Sequence, residues 1–415
     1  MPRNEVEVVI IGAGAAGIAA GRHLHDRGVD CLLVEARPRL GGRALTFVDP
    51  SGFALDLGCG WLHSADRNPW VDVARAQGRT IDKSPPPWSR AALTAGFPLS
   101  RQQEYRAAYE AFSERLTVGE NEADVPAAVF LEPGNRWNNM IMAIGTYISG
   151  AELDGVSARD FENYADTGTN WRVVEGYGAT IAANGAGLRA VLNAPVRRID
   201  HSGKRLKIET ASGVITADQV IVTLPTNVIA ANEALFSPAL PEKTQAARNL
   251  PLGLADKLFL SLDNADEFDI ESRMIGNTDR VATATYHFRP FGRPLIEAYF
   301  GGSNAAGLEA GGERAFFDFA VSELVALLGA SFSKRVKPLR MHCWRSDPYA
   351  LGSYSYALPG KADCRARLEA PVDDRLFFAG EACSRNDFST AHGGWFTGFA
   401  AAEQVIAVRN RNKGA

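Results

Sequence analysis

Apolar and polar positions change their spacing several times along this chain. Val6-Glu7-Val8-Val9-Ile10-Ile11 is a short, β-branched, almost unbroken apolar run, the pattern of a strand buried in a parallel sheet. A helical stretch follows to about Arg27, Gly28 stops it, and Cys31-Leu32-Leu33-Val34 is a second apolar strand. After the break at Pro85-Pro86-Pro87, the segment from Gln102 to Leu116 predicts an amphipathic helix of a lid or substrate lobe. A hairpin comes next (Arg205 to Ile208, then Gly213 to Thr216), followed by a separate strand, Val220-Ile221-Val222-Thr223, ended by Leu224-Pro225. Strand-like runs such as Lys257 to Leu262 precede a helix near Glu313 to Leu328. Leu376-Phe377-Phe378 is a last strand, and a long helix opens at Thr390-Ala391 and runs through about Val408. The fold class is therefore α/β.

The turn after the first strand carries the first candidate chemistry. Gly12-Ala13-Gly14-Ala15-Ala16-Gly17 fits G-x-G-x-x-G in the strand-turn-helix setting of a dinucleotide site. Gly12 permits the tight turn. Gly14 lets a pyrophosphate approach the backbone at the positive helix end, beside Ala15 and Ala16, and Gly17 lets the helix lie close to the strand. Glu35 closes the second strand 23 residues after Gly12, near the separation of about 20 expected for a ribose-binding acid. Its charge disfavours a 2′-phosphate, and so NADP. Ala36-Arg37-Pro38-Arg39-Leu40-Gly41-Gly42-Arg43 then adds a second glycine pair flanked by arginines. A plain NAD domain has no need of it, whereas FAD follows a longer path. Gly41 and Gly42 admit close backbone approach along that path, and Arg43 counters the pyrophosphate charge.

Composition narrows the class further. Ten of the 40 glycines fall within the first 60 of 415 residues, which ties the glycine excess to this turn system. The length predicts two or three compact units at about 150 residues each. A net charge of −4 with no long run of one sign gives neither a nucleic-acid footprint nor a polybasic membrane patch. Five scattered cysteines without C-x-x-C argue against a disulfide framework and a zinc site, so no metal is expected. The first strand begins too early for a signal peptide, and no stretch reaches the roughly 18 apolar residues of a membrane helix. A soluble, cytoplasmic protein is the expectation.

On these blocks the sequence resembles the flavin-dependent amine oxidases, the family of monoamine, polyamine and L-amino-acid oxidases. Asp56-Leu57-Gly58-Cys59-Gly60-Trp61-Leu62-His63 resembles the family segment that crosses near the flavin ring, which implicates Gly58, Gly60 and Trp61. Val174 to Ile181 resembles the entry of the second flavin segment, leading on to Val196 and Thr223. Trp344 to Ser355, with Tyr349, resembles the segment beneath the flavin. Leu376 to Glu381 and Thr390 to Trp395 resemble the closing block. There Gly380 and Glu381 lie near the ribitol or pyrophosphate, and the helix start at Ala391-His392-Gly393-Gly394 aims N–H groups at the flavin's carbonyl edge. The implied architecture is that of a GR2-type flavoprotein. A Rossmann-like FAD-binding domain (1–77, 170–233 and 341–415) is interleaved with an α+β substrate-binding domain (78–169 and 234–340).

The resemblance also implies a catalytic face. Lys257 matches the family lysine that contacts flavin N5 through a water, and Tyr354 matches one wall of an aromatic cage whose other wall falls on Thr390. Ser353 stands where covalently flavinylated members have cysteine, so noncovalent FAD is expected. His63, two residues after Trp61, resembles the substrate-facing histidine of animal-type polyamine oxidases. The implied function is oxidation of a small-molecule amine: hydride passes from the carbon beside nitrogen to flavin N5, the imine hydrolyses, and O2 becomes hydrogen peroxide. A monomer or homodimer is expected. Asp166 and Glu162 are candidates for a distal ammonium of a polyamine. An L-amino-acid oxidase would need a cavity arginine, and the sequence places neither Arg172 nor Arg289 there. An FAD-dependent desaturase would not need Lys257 or Tyr354, and a flavin-holding interaction module would need no turnover at all.

Overall fold

Alternation within the first two strands sends side chains into two cores. Val9, Ile11, Leu32 and Val34 pack on one side of a sheet, and Val8, Ile10, Cys31 and Leu33 on the other. A computed structural model describes residues 5–119 and 122–414. In it Glu5–Ile11 is a central strand, parallel to Cys31–Val34 on one side and to the second half of Gly213–Val222 on the other. Leu376–Phe378 pairs in parallel with Val220–Val222. The eight-stranded sheet thus draws its strands from the start, the middle and the end of the chain. The fold is α/β with a Rossmann-like dinucleotide-binding unit.

One strand differs from its sequence reading. Gly213–Val222 is continuous where a hairpin arm and a separate strand were expected. Its first half pairs antiparallel with Leu206–Thr210, while Ala217 and Gln219 already face Val6 and Val8 of the central strand. That second pairing keeps the polar residues between the two halves extended.

A second sheet of five antiparallel strands has the order 272–275, 285–288, 295–301, 255–262, 336–341. Its core holds Leu258, Tyr286, Phe288, Ile296, Ala298 and Phe300. In register across it, Lys257 faces Tyr299 and Tyr299 faces Thr285. Two residues along, Glu297 faces His287, and His287 faces Arg273. Paired residues share a sheet face. Against this sheet lies a helical lobe with Phe97, Phe112, Trp137 and Met140 at its centre. The apolar side of its helix Leu99–Arg115 is aromatic, Tyr105, Tyr109 and Phe112, and only Phe112 is fully buried.

The C-terminal helix Ala391–Gly414 lies along Ala15–Asp26 so closely that a Cβ at Gly398 would sit 2.2 Å from the Ala16 carbonyl oxygen. It continues past Val408 because Arg409 pairs with Glu7 and Arg411 with Asp374, which hold its polar end on the protein. Among the described residues no helix is long and apolar enough to cross a membrane.

Candidate active site

A single cavity of about 1260 Å³ runs from the first glycine turn to the antiparallel sheet and the helical lobe. It exceeds the roughly 300–1,000 Å³ of ordinary small-molecule pockets and has room for a dinucleotide and a second molecule. At one end it is walled by backbone. Gly12, at φ +100°, lines it with Gly14, Ala15 and Ala16. Gly41 bridges to Gly14, and Gly42 packs beside both. Gly17 stays behind the turn, since a Cβ there would lie 2.0 Å from the Gly12 carbonyl oxygen. Gly394 of the C-terminal helix comes so near Ala15 that two helix N-termini face the same end.

Charges at this end are held by partners. Glu35 accepts the N–H groups of Ala13 and Arg37, both at 2.8 Å, which fixes its carboxylate on the cavity wall. Arg37 bonds Asp347 at 2.7 Å and lies over the Tyr349 ring. Arg43 donates to the Ser353 carbonyl at 2.8 Å and to Glu381 at 2.9 Å. Burial pushes the Glu381 carboxyl up, but Arg43, Ser355 and Arg365 outweigh it and hold it below the ordinary value. Ala36, Gly58, Gly60, Trp61, Val196, Thr223, Trp344, Gly380 and Ala391 also line the cavity. His392 does not: its buried imidazole turns to Asp387 at 3.2 Å. This donor set fits FAD, with helix N-termini and Arg43 for the pyrophosphate, Glu35 for a ribose, and glycine backbone where a flat ring must pass.

At the other end the walls are side chains. The Lys257 ammonium lies 3.1 Å from the Asp56 carbonyl oxygen and 3.2 Å from the Glu297 carboxylate. Burial opposes its charge, but Glu297, Tyr299 and Asp56 prevail and raise its pKa, so it is a buried cation. Gly60 makes room for it, since a Cβ there would stand 3.0 Å from Nζ. Tyr354 donates to the Tyr147 carbonyl and lies 3.0 Å, hydroxyl to hydroxyl, from Tyr299. The aromatic wall is therefore a trio, Tyr147, Tyr299 and Tyr354, on three different elements. Thr390 reaches the cavity as a helix cap: its Oγ1 donates to the Asp387 carbonyl at 2.6 Å and accepts from Gly393 N–H at 2.9 Å.

His63 lines the cavity with Nδ1 bonded to Asn170 Oδ1 at 2.6 Å. Burial pulls its pKa down, so the ring is neutral and Nε2 is its open acceptor. The Ser353 hydroxyl is taken up by Ala255, donating to its carbonyl at 2.8 Å and accepting its N–H at 2.9 Å. Asp166 lines the cavity while remaining exposed, and Glu162 lies outside it, accepting Val118 N–H. Neither Arg172 nor Arg289 lines the main cavity. Arg172 is locked between Asp82 and Glu271, at 2.7 and 2.6 Å, and Arg289 pairs with Asp266.

Sequence reasoning missed Glu297, Tyr299, Tyr147, Tyr105 and Arg273, all cavity-lining. Glu297 and Tyr299 had a signal, as two polar residues spaced by two within an otherwise apolar strand. Tyr105 and Tyr109, four apart, share a helix face. Nothing local marks Arg273.

Comparison with known proteins agrees with this geometry. The chain matches the family model of flavin containing amine oxidoreductases over residues 67–406, and that of NAD(P)-binding Rossmann-like domains over 10–76. It is 30% identical to polyamine oxidase 4 of Oryza sativa subsp. japonica, over 96% of this chain and 88% of the relative. With lysine-specific histone demethylase 1 homolog 2 of Arabidopsis thaliana it shares 26% identity over 98% of this chain and 59% of the relative. A putrescine oxidase redesigned in its cofactor binding has the same fold, with a TM-score of 0.78 at 16% identity, over 98% of this chain and 100% of that one. With the family model spanning most of its length, the chain belongs to the flavin-containing amine oxidoreductases.

Proposed function

We propose that this enzyme oxidises a small-molecule amine at the carbon beside nitrogen with noncovalent FAD and O2. The observation that carries the reading is the buried Lys257 cation, which stands on the same cavity wall as an aromatic trio and opens toward the glycine-built cofactor end. When bound, FAD would supply the two-electron acceptor for the hydride and a route for those electrons to O2, which with two protons gives hydrogen peroxide. The glycine turns, Glu35, Arg43 and the C-terminal helix start, in the three chain pieces 1–77, 170–233 and 341–415, would hold that group.

The chain's own residues position and desolvate the substrate. Tyr147, Tyr299 and Tyr354 present ring faces to an amine while their hydroxyls satisfy one another and the backbone. Neutral His63 offers Nε2 as an acceptor for an amine N–H. Lys257 holds a positive charge where negative charge develops on O2 and orders water beside it. The imine product then takes up water and parts into carbonyl compound and amine. Ser353, with cysteine's sulfur absent and its hydroxyl spent on Ala255, favours noncovalent flavin. Anaerobic mixing of the yellow holoenzyme with mono-, di- and polyamines should bleach the flavin with at least one of them, and readmitted air should restore colour with release of peroxide. Persistent yellow with every amine would overturn the reading.

A further inference from the structure

The cavity face of the antiparallel sheet carries its charges in a row, and all but one are matched. Lys257 meets Glu297 at 3.2 Å, and His287 meets Glu271 at 2.7 Å. Arg273, which faces His287 in register, has no ion pair and no side-chain hydrogen bond among the described residues, and its buried Nε is without a partner. Around its guanidinium stand Tyr105 and Tyr147, together with a second cation, Arg106. A half-buried guanidinium whose Nε is left unmatched is costly, and the usual remedy is an anion.

We infer that Arg273 is an anion-binding residue, and that the substrate is an amine that also carries a carboxylate, several bonds from the carbon that is oxidised. This specifies the substrate class within the amine-oxidation reading and rests on it. The spacing follows from the sheet. Arg273 and Lys257 lie on one face, three strands apart, so their backbones are separated by roughly 15 Å at a strand spacing of about 4.8 Å. The Arg273 side chain covers part of that interval; an α-carboxylate, one carbon from the nitrogen, falls short of the remainder, whereas the end of an ω-amino acid reaches across it. The guanidinium fork matches a planar carboxylate with two parallel bonds, and Tyr105 and Tyr147 flank the site with hydroxyl-bearing rings. A second ammonium, as in a diamine or polyamine, would instead enter between Arg273 and Arg106.

The test compares ω-aminohexanoate, diaminohexane and hexylamine, matched in length, as reductants of the holoenzyme flavin, together with calorimetric binding of hexanoate, which has no amine. The wild type should prefer ω-aminohexanoate. In R273Q the ratio of kcat/KM for ω-aminohexanoate over hexylamine should fall about 100-fold, mostly through KM, and hexanoate binding should disappear. R273K, which keeps the charge and loses the fork, should recover part of both, a rescue that a merely structural role would not give. Preference for diaminohexane together with an R273Q ratio equal to wild type would overturn the inference. If no amine reduces the flavin but hexanoate binding is lost in R273Q, the anion site stands and the amine-oxidation reading falls. If an amine is oxidised but hexanoate binds wild type and R273Q alike, or neither, the reading stands and the anion site falls.

Discussion

The two ends of the cavity are built from different materials. At the cofactor end the wall is backbone: glycines 12, 14, 41 and 42, two helix N-termini, and charged side chains already neutralised, Arg37 by Asp347 and Arg43 by Glu381. At the substrate end the wall is side chain, carried on four antiparallel strands and on the helices Leu99–Arg115 and Asn138–Ser149, with one charge left unmatched at Arg273. A backbone site leaves little room for variation because every approach is set by excluded volume. A side-chain site can be respecified one residue at a time, as its specificity requires.

The sharpest way to break this comparison is to put a side chain into the backbone end. In Gly17→Val the new Cβ lies where the Gly12 carbonyl oxygen is 2.0 Å away, so the helix must lift from the turn. Overpacking of this kind costs about 1–3 kcal/mol or more, and here the displaced element is the pyrophosphate cradle. The purified variant should be colourless and melt well below wild type. A yellow protein with an unchanged Tm would mean that the turn is more pliant than its packing indicates.

The next effect lies at the junction of the two ends. Lys257→Met removes the cation and leaves Glu297, half-buried, without its ion-pair partner, while the glycine cradle is untouched. Flavin content should stay near one per chain, and reoxidation by O2 should slow about 100-fold, the scale of one lost electrostatic contact at a reacting centre. Loss of flavin with normal reoxidation of the remainder would move Lys257 from the substrate end to the cofactor end.

The same division explains what was legible in the sequence. Gly12 to Gly17, Glu35 and Gly41 to Arg43 are short runs whose geometry is local, so spacing alone assigned them, and all but Ala13 and Gly17 line the cavity. Arg273 is different. Its partnerless state depends on what strands 272–275, 285–288 and 295–301 and a helix more than 150 residues earlier bring beside it, and no local pattern encodes that. Tyr354 was read as one wall of a cage whose opposite place falls on Thr390; the fold puts both on the cavity, with Thr390 also capping the helix and Tyr354 gathered with Tyr147 and Tyr299. Arg172 could not be placed because its partners, Asp82 and Glu271, are distant in sequence.

A smaller effect appears in acid. Burial pushes the Glu271 carboxyl up, but His287 and Arg172 hold it down to about 2 against an ordinary 4.5. The folded protein therefore keeps this carboxylate ionised where the unfolded chain protonates it. Its stabilising contribution is full above about pH 4.5 and is lost as pH falls toward about 2. In Glu271→Gln the fall in stability across that window should be shallower than in wild type, as followed by urea midpoints at successive pH values. Parallel profiles would show that ionised Glu271 makes no such contribution to stability.

The smallest effect separates capping from substrate contact at Thr390. As a cap, its hydroxyl satisfies Gly393 N–H and fixes the first turn of the C-terminal helix, and the methyl group contributes little. Thr390→Ser should then equal wild type, and Thr390→Ala should lose about 1 kcal/mol with KM for the amine changed less than about twofold. A wall of an aromatic cage would behave in the opposite way, because what matters there is volume facing the amine. Ser and Ala would then shift KM together, in the same direction, with Tm unmoved. The two variants thus give opposite orderings in two measurements. A KM shift shared by Ser and Ala would return Thr390 to the substrate end, and a Tm loss confined to Ala leaves it in the helix start that faces the cofactor.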